Sequence, residues 1–200
     1  MKIVNIKSKK YVKEISKIHV LTFKGFFLTF LGEEFLSYLY RGFIEHDASG
    51  ILGAFSDEGE LIGFLAYSSD ISSFYRYLLK KYIIRFIYSS LLAVLRKPKI
   101  LFRLIRALTY PETSSRKVAY MELASIGVLP SQNNRNVGTS LIDQLKKIAA
   151  TRHVAYIKLE TDRLNNSNVN AFYLKNGFVC HHSYITHEGR SMNEYRFNLH

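Results

Sequence analysis

The run Glu122-Leu123-Ala124-Ser125-Ile126-Gly127-Val128, continued by Leu129-Pro130-Ser131-Gln132-Asn133-Asn134-Arg135-Asn136-Val137-Gly138-Thr139-Ser140-Leu141, decides the fold. Val118 to Val128 reads as a long strand and Pro130 to Val137 as a polar loop. A helix follows from Gly138 to about Thr151, with Leu141, Ile142, Leu145 and Ile148 turned inward at helical spacing. A strand feeding a helix through such a loop aims unpaired N–H groups and the positive end of the helix dipole at one point. That point suits an anion, and a pyrophosphate fits it. Alone, the signal is weak, since many helix ends bind nothing. The chain has neither a P-loop (G-x-x-x-x-G-K-[ST]) nor a dinucleotide fingerprint (G-x-G-x-x-G).

Working outward, Ala155 to Glu160 reads as a strand and Asn166 to Asn176 as a helix stopped by Gly177. Phe178 to Thr186 and Met192 to Leu199 form a hairpin across His187-Glu188-Gly189-Arg190. Upstream, Lys2 to Ile6 is a short strand, Lys9 to Thr22 a helix, Phe23 to Phe27 an aromatic break, and a second helix follows Gly32. Ile51 to Phe55 and Leu61 to Tyr67 flank the turn Asp57-Glu58-Gly59-Glu60. An insertion over 72–110 then interrupts the pattern. Its first part, Phe74 to Leu95, is helical, and Pro98 opens another helix with Arg96, Lys99, Arg103 and Arg106 opposite Ile100, Leu101, Leu104, Ile105 and Leu108. The order β-α-α-β-β-insertion-β-α-β-α-β-β predicts an α/β (α+β mixed) sheet. No repeat or linker divides it, so residues 1–200 are expected to form a single domain.

A chain 48% hydrophobic and 22% charged is globular rather than disordered. The single cysteine, Cys180, excludes an internal disulfide framework, and no Cys/His spacing suggests zinc, so no metal is expected. No apolar h-region or small-residue cleavage site follows Met1 to Asn5, so no secretory signal is expected. The most apolar stretch, Tyr82 to Leu95, contains Arg85 and falls short of the ~20 residues that cross a bilayer. A cytoplasmic location is expected. The net charge is +12, yet nine basic residues and no acid lie between Ile71 and Pro111, so the basicity belongs to the insertion.

Ile126-Gly127-Val128-Leu129-Pro130, with the loop and Leu141-Ile142, resembles the coenzyme A signature of the GNAT superfamily of acetyl-CoA-dependent N-acetyltransferases. The register from Pro130 to Gly138 and on to Leu141 holds without a gap. Asn166-Ser167-Asn168-Val169-Asn170-Ala171-Phe172-Tyr173-Leu174-Lys175-Asn176-Gly177-Phe178 resembles that family's second motif, N-x-x-A-x-x-F-Y-x-K-x-G-F. The element order agrees over almost the whole chain. Three positions depart: Asn133 stands where the family has Gln or Arg, Asn136 replaces its first glycine, and the alanine of the second motif is replaced by Val169 or Asn168, depending on register. Asparagine is the best non-glycine occupant of a left-handed backbone position, so Asn136 is expected to hold the turn.

The resemblance implies the GNAT fold, acetyl-CoA as co-substrate and transfer of its acetyl group to a primary amine. It places the CoA phosphates against Asn133, Asn134, Arg135, Asn136, Val137, Gly138 and Thr139, and the pantetheine along Ile126 and Val128 as an added strand. Asn166 reads as an N-cap first and a CoA contact second. Tyr173 sits where the family places the tyrosine that assists the leaving thiolate; the competing role is a core tyrosine among Phe172 and Phe178. The backbone N–H of Val128 would meet the oxyanion. Glu122 stands where some amine-acetylating members carry a general base, and even spacing puts it on one strand face with Ala124, Ile126 and Val128. A strand glutamate paired with a basic residue explains it equally well. Ser125 is a weaker candidate. His181 and His182, adjacent on a strand, should face opposite ways and are structural rather than a ligand pair.

The acceptor stays open as a small-molecule or carrier-bound amine, beside the alternative of a non-catalytic acyl-CoA-binding module. For the basic insertion three uses compete: a helical lid with a solvated Lys/Arg face, contact with an acidic acceptor, or peripheral contact with an anionic membrane. Nucleic acid is less favoured, because no binding module is apparent.

Overall fold

A computed structural model describes residues 1–96, 119–132 and 135–199, the last six of the first segment by backbone alone. The expected helix after Pro98, and Asn133 and Asn134 of the loop, lie outside the described residues. The elements are β1 (Lys2–Asn5), a 3-10 turn (Lys9–Tyr11), α1 (Val12–Thr22), α2 (Phe27–Phe30), α3 (Glu33–Glu45), β2 (Ser49–Phe55), β3 (Leu61–Ser68) and α4 (Ile71–Arg96). They continue with β4 (Tyr120–Val128), α5 (Val137–Thr151), β5 (Tyr156–Asp162), α6 (Ser167–Lys175), β6 (Val179–Ile185) and β7 (Ser191–Asn198). The order is the one expected, with the short α2 added between the aromatic break and Gly32.

Seven strands form one sheet in the order β1-β2-β3-β4-β5-β7-β6. All neighbours are antiparallel except β4 and β5, which run parallel. β2 and β3 are almost wholly buried. Their sequences are accordingly continuous apolar runs rather than alternating ones, as sheets covered on both faces require.

One face carries α1, α3 and α4, whose Ile15, Leu36, Tyr40, Phe74, Leu78 and Phe86 pack with Phe64 and Ala66 of the sheet. The other face carries α5 and α6, whose Leu141, Ile142, Leu145 and Tyr173 pack with Leu65, Met121, Ile157 and Leu159. The first helix of the insertion therefore belongs to the core. Phe74 lies 4.0 Å from Phe43 and Phe86 4.4 Å from Phe35 between ring centroids. The buried end of α3 adds an ionic anchor: the Glu45 carboxylate receives Lys9, Arg41 and Lys81, with hydrogen bonds from the Tyr77 and Tyr82 hydroxyls. The outer side of α4 is not simply a solvated Lys/Arg face, however, because Ile83, Ile84, Ile87 and Tyr88 are exposed on it.

Candidate functional site

The sheet splits in its middle. β4 and β5 pair only at Tyr120↔Tyr156, Met121↔Ile157 and Glu122↔Lys158. Beyond them β4 runs on beside β3 and β5 runs on beside β7, sharing no ladder with each other. The split opens at the carboxyl ends of two parallel strands, the usual place for a ligand in a mixed sheet. Both following helices, α5 and α6, start at its rim.

Backbone alternation aims β4 into this opening. Leu129 N–H bonds Ile62 O across the β3 ladder at 2.9 Å. The peptide groups of Val128 and Ile126, out of phase with that bond, therefore point to the opposite edge, into the split. Thr22, at the end of α1, reaches over to donate to Val128 O at 3.2 Å.

The face predicted for Glu122 needs correction. The β3–β4 register shifts so that Ala66 pairs with Ser125 and Tyr67 with Leu123, leaving Ala124 as a bulged residue. One extra residue reverses every later side chain. Glu122 thus shares the α1–α3 face with Ser125 and Gly127, while Ile126 and Val128 face α5. Its carboxylate is 3.5 Å from the Lys158 ammonium, which also meets Glu160 at 3.0 Å. The Lys158 side chain is only 8% exposed and that of Glu122 20%. Tyr75 of α4 lies close enough that burial, then the charges of Glu122 and Glu160, push its phenol above the usual range.

Asn136 takes the left-handed conformation expected of it, at φ 58°. Its side chain makes no capping bond, and the first turn of α5 holds no acid. Ser140 N–H bonds Asn136 O at 2.9 Å, so the N–H groups of Val137, Gly138 and Thr139 precede the helical ladder. Arg135 and Asn136 are exposed, and Val137 is buried beneath them. A Cβ on Gly138 would stand 3.0 Å from the Phe172 ring, so glycine there lets α5 and α6 approach. These features fit an anion such as a pyrophosphate.

On α6, Tyr173 is buried with Phe172, Phe178 and Tyr195 around it, the ring centroids at 5.4, 5.8 and 5.9 Å. Burial raises its pKa and keeps the phenol protonated. Asn166 occupies the N-cap position but does not cap. Its amide instead donates to Thr161 Oγ1 at 2.8 Å and Asp162 O at 3.0 Å, which corrects the capping expectation. Spacing gave no sign of the next network. Asn170 donates to Asp162 O and Asn166 O and accepts from Asn193 and Tyr195, so its amide ties α6 to β5 and β7.

A second unforeseen chain lies on the α1–α3 face. His19 Nδ1 and Tyr40 Oη are 2.6 Å apart, and Tyr40 Oη is 3.4 Å from Ser125 Oγ beside the bulge. His19 Nε2 is buried without a hydrogen-bond partner among the described residues. Burial pushes the His19 pKa down to about 4, so the ring is neutral at physiological pH. Neither α1 nor α3 has a sequence motif at these positions. His181 and His182 are both exposed on β6, their centroids 6.0 Å apart. A register shift between Cys180 and His182 interrupts the alternation that would send them to opposite faces. Among the described residues no group of three His, Cys, Asp or Glu side chains is placed to hold a metal, and no helix is long and apolar enough to cross a membrane.

The model of the Acetyltransferase (GNAT) family matches residues 13–178. Among solved structures, a protein assigned to the GNAT acetyltransferases from Desulfovibrio desulfuricans is similar over 100% of this chain and 99% of its own, at TM-score 0.67 and 13% identity. Aminoglycoside 6'-acetyltransferase type Ii is similar over 100% and 98%, at TM-score 0.65 and 16% identity. The spermidine/spermine N-acetyltransferase SpeG from Vibrio cholerae is similar over 99% and 94%, at TM-score 0.57 and 12% identity. At these identities the likeness is one of fold. No curated protein matches the sequence.

Proposed function

The chain belongs to the GNAT family of acetyltransferases, and from that premise we propose that it moves an acetyl group from acetyl-CoA to a primary amine by direct attack on the thioester. The observation that carries this reading is the split between β4 and β5, faced by the Ile126 and Val128 peptide groups and headed by the uncapped first turn of α5.

Acetyl-CoA, when bound, supplies the activated acyl carbon. The N–H groups of Val137, Gly138 and Thr139, with the Arg135 guanidinium, would hold its phosphates, and Asn134 and Asn133 belong to the same loop. Ile126 and Val128 would pair with the extended pantetheine through their backbones. The Val128 N–H would also stabilise the carbonyl oxygen as charge builds on it. Tyr173, held neutral by burial, would donate a hydrogen bond to the departing sulfur, which takes its proton from water. Asn166, engaged with Thr161 and Asp162, would keep the start of α6 at the rim of the split.

Glu122 lies on the face from which α1 and α3 approach. Its carboxylate, 3.5 Å from the Lys158 ammonium, would take the proton that the amine loses, directly or through water. The amine nitrogen gains the acyl carbon, the carbon–sulfur bond breaks, and the two proton transfers balance. The three comparisons of fold include proteins named for polyamine and aminoglycoside acetylation, which leaves a range of amines to screen.

The test follows release of free thiol from acetyl-CoA across a panel of primary amines. At least one amine should give turnover, and Tyr173→Phe should lower kcat by about a hundredfold while desulfo-CoA still raises Tm. Thermal stabilisation without thiol release on any amine would overturn the catalytic reading and leave a binding module. Absence of both would overturn acetyl-CoA as the ligand.

A further inference from the structure

The outer face of α4 plays no part in the acetyl-transfer reading, and its composition is unusual for a helix surface. Phe74, Leu78, Tyr82 and Phe86 point into the core. On the opposite side Arg76, Lys80, Ile83, Ile84 and Ile87 follow one another at i, i+4, i+7, i+8 and i+11, which is a single helical stripe. Tyr88 flanks its apolar end. Ile84 is 65% exposed, Ile87 54% and Tyr88 75%. Lys81 is taken up by Glu45, and Arg85 donates to the Tyr38 hydroxyl at 3.0 Å. Arg76 and Lys80 make no ion pair among the described residues, so both cations stay available on the stripe.

A contiguous apolar strip beside free cations marks an interaction surface rather than scattered exposure. We propose that this face of α4 docks on an anionic phospholipid surface, with Ile83, Ile84 and Ile87 entering the headgroup–acyl boundary and Arg76 and Lys80 on the lipid phosphates. Three features favour lipid over a protein. The apolar end is built of three exposed isoleucines, aliphatic throughout. Tyr88 supplies the ring that suits the interface, apolar in body and polar at its tip. The same segment of a second copy would bring only further cations, because no acid occurs between Ile71 and Pro111. Apolar insertion and attraction to anionic lipid reinforce one another in such helices.

The chain contains no tryptophan, which makes Ile84→Trp a clean reporter. With vesicles of phosphatidylcholine and phosphatidylserine at low salt, the protein should co-sediment and the Ile84→Trp emission should shift to the blue. Vesicles of phosphatidylcholine alone should give neither. Trp placed at Ile185, exposed on β6, should not shift. The double variants Ile84→Ser/Ile87→Ser and Arg76→Glu/Lys80→Glu should each weaken partitioning by about tenfold or more, with Tm unchanged. No binding to either vesicle overturns the proposal. So does binding that survives both double variants, which would assign it to the diffuse positive charge of the chain. A fall in solution mass of Ile84→Ser/Ile87→Ser without vesicles would instead assign the face to a second copy.

Discussion

His19 holds its imidazole in an apolar layer between α1 and α3, against Phe23 at 4.5 Å and within hydrogen-bond distance of Tyr40. Its pKa falls to about 4 in the folded protein through burial, against about 6.5 for a free histidine. Between those values the unfolded chain binds the proton and the folded chain does not, so stability is full above pH 6.5 and declines as pH falls toward 4. Lowering the pH from 7.5 to 5 should cost about 2 kcal/mol from this residue alone. Urea unfolding at the two pH values checks it: His19→Gln should shrink the difference by about that amount, and an unchanged difference would show that the ring is accessible to protons. Glu45 does not confuse the window. Burial alone would raise its pKa, but hydrogen bonds from Lys9, Tyr82, Lys81 and Arg41 hold the carboxyl well below the carboxylate range. Its contribution is complete above the ordinary glutamate pKa and declines only in stronger acid.

At the scale of elements, that same carboxylate joins the 3-10 turn, α3 and α4. Glu45→Gln keeps the shape but leaves Lys9, Arg41 and Lys81 together without their counter-charge. The three cations are each about half exposed, so water screens them and the loss stays on the scale of surface ion pairs rather than buried ones. Chemical denaturation should show the loss, and α4 should become the more rapidly digested helix in limited proteolysis; an unchanged midpoint would show that the three cations are satisfied elsewhere. The elements themselves were readable because their signals are local: helical spacing in α1, α3 and α5, the Asp57–Glu60 turn, and Gly177 closing α6. Asn136 was readable too, since a left-handed cap restricts the residue type. What escaped were features set by pairing across the sheet. The bulge at Ala124 changes which face Glu122 occupies, yet an inserted residue in a strand leaves no mark on its own sequence. Asn166 and Asn170 are similar: their amide N–H groups go to acceptors at the end of β5, and the Asn170 oxygen accepts from Asn193 and Tyr195 of β7, which only folding brings near. The His19–Tyr40–Ser125 chain spans three elements and has no spacing to reveal it.

The whole molecule is two half-sheets, β1-β2-β3-β4 and β5-β7-β6, held together by three residue pairs and the helices above and below. Weakly joined units open separately, and their amides exchange at different free energies. Native-state hydrogen exchange without ligand should therefore show amides of the β5-β7-β6 half exchanging at lower denaturant than those of β2 and β3. Saturating acetyl-CoA should bring the two sets together and slow Ile126 and Val128. A single exchange free energy in the ligand-free protein would refute this division. A compound lodged in the split acts as a splint, tying the folded lifetime of the chain to the concentration of that compound. At a hundred times its dissociation constant it adds about 2.7 kcal/mol. A cell starved of the metabolite would then clear the protein faster, so abundance would follow supply without any dedicated sensor.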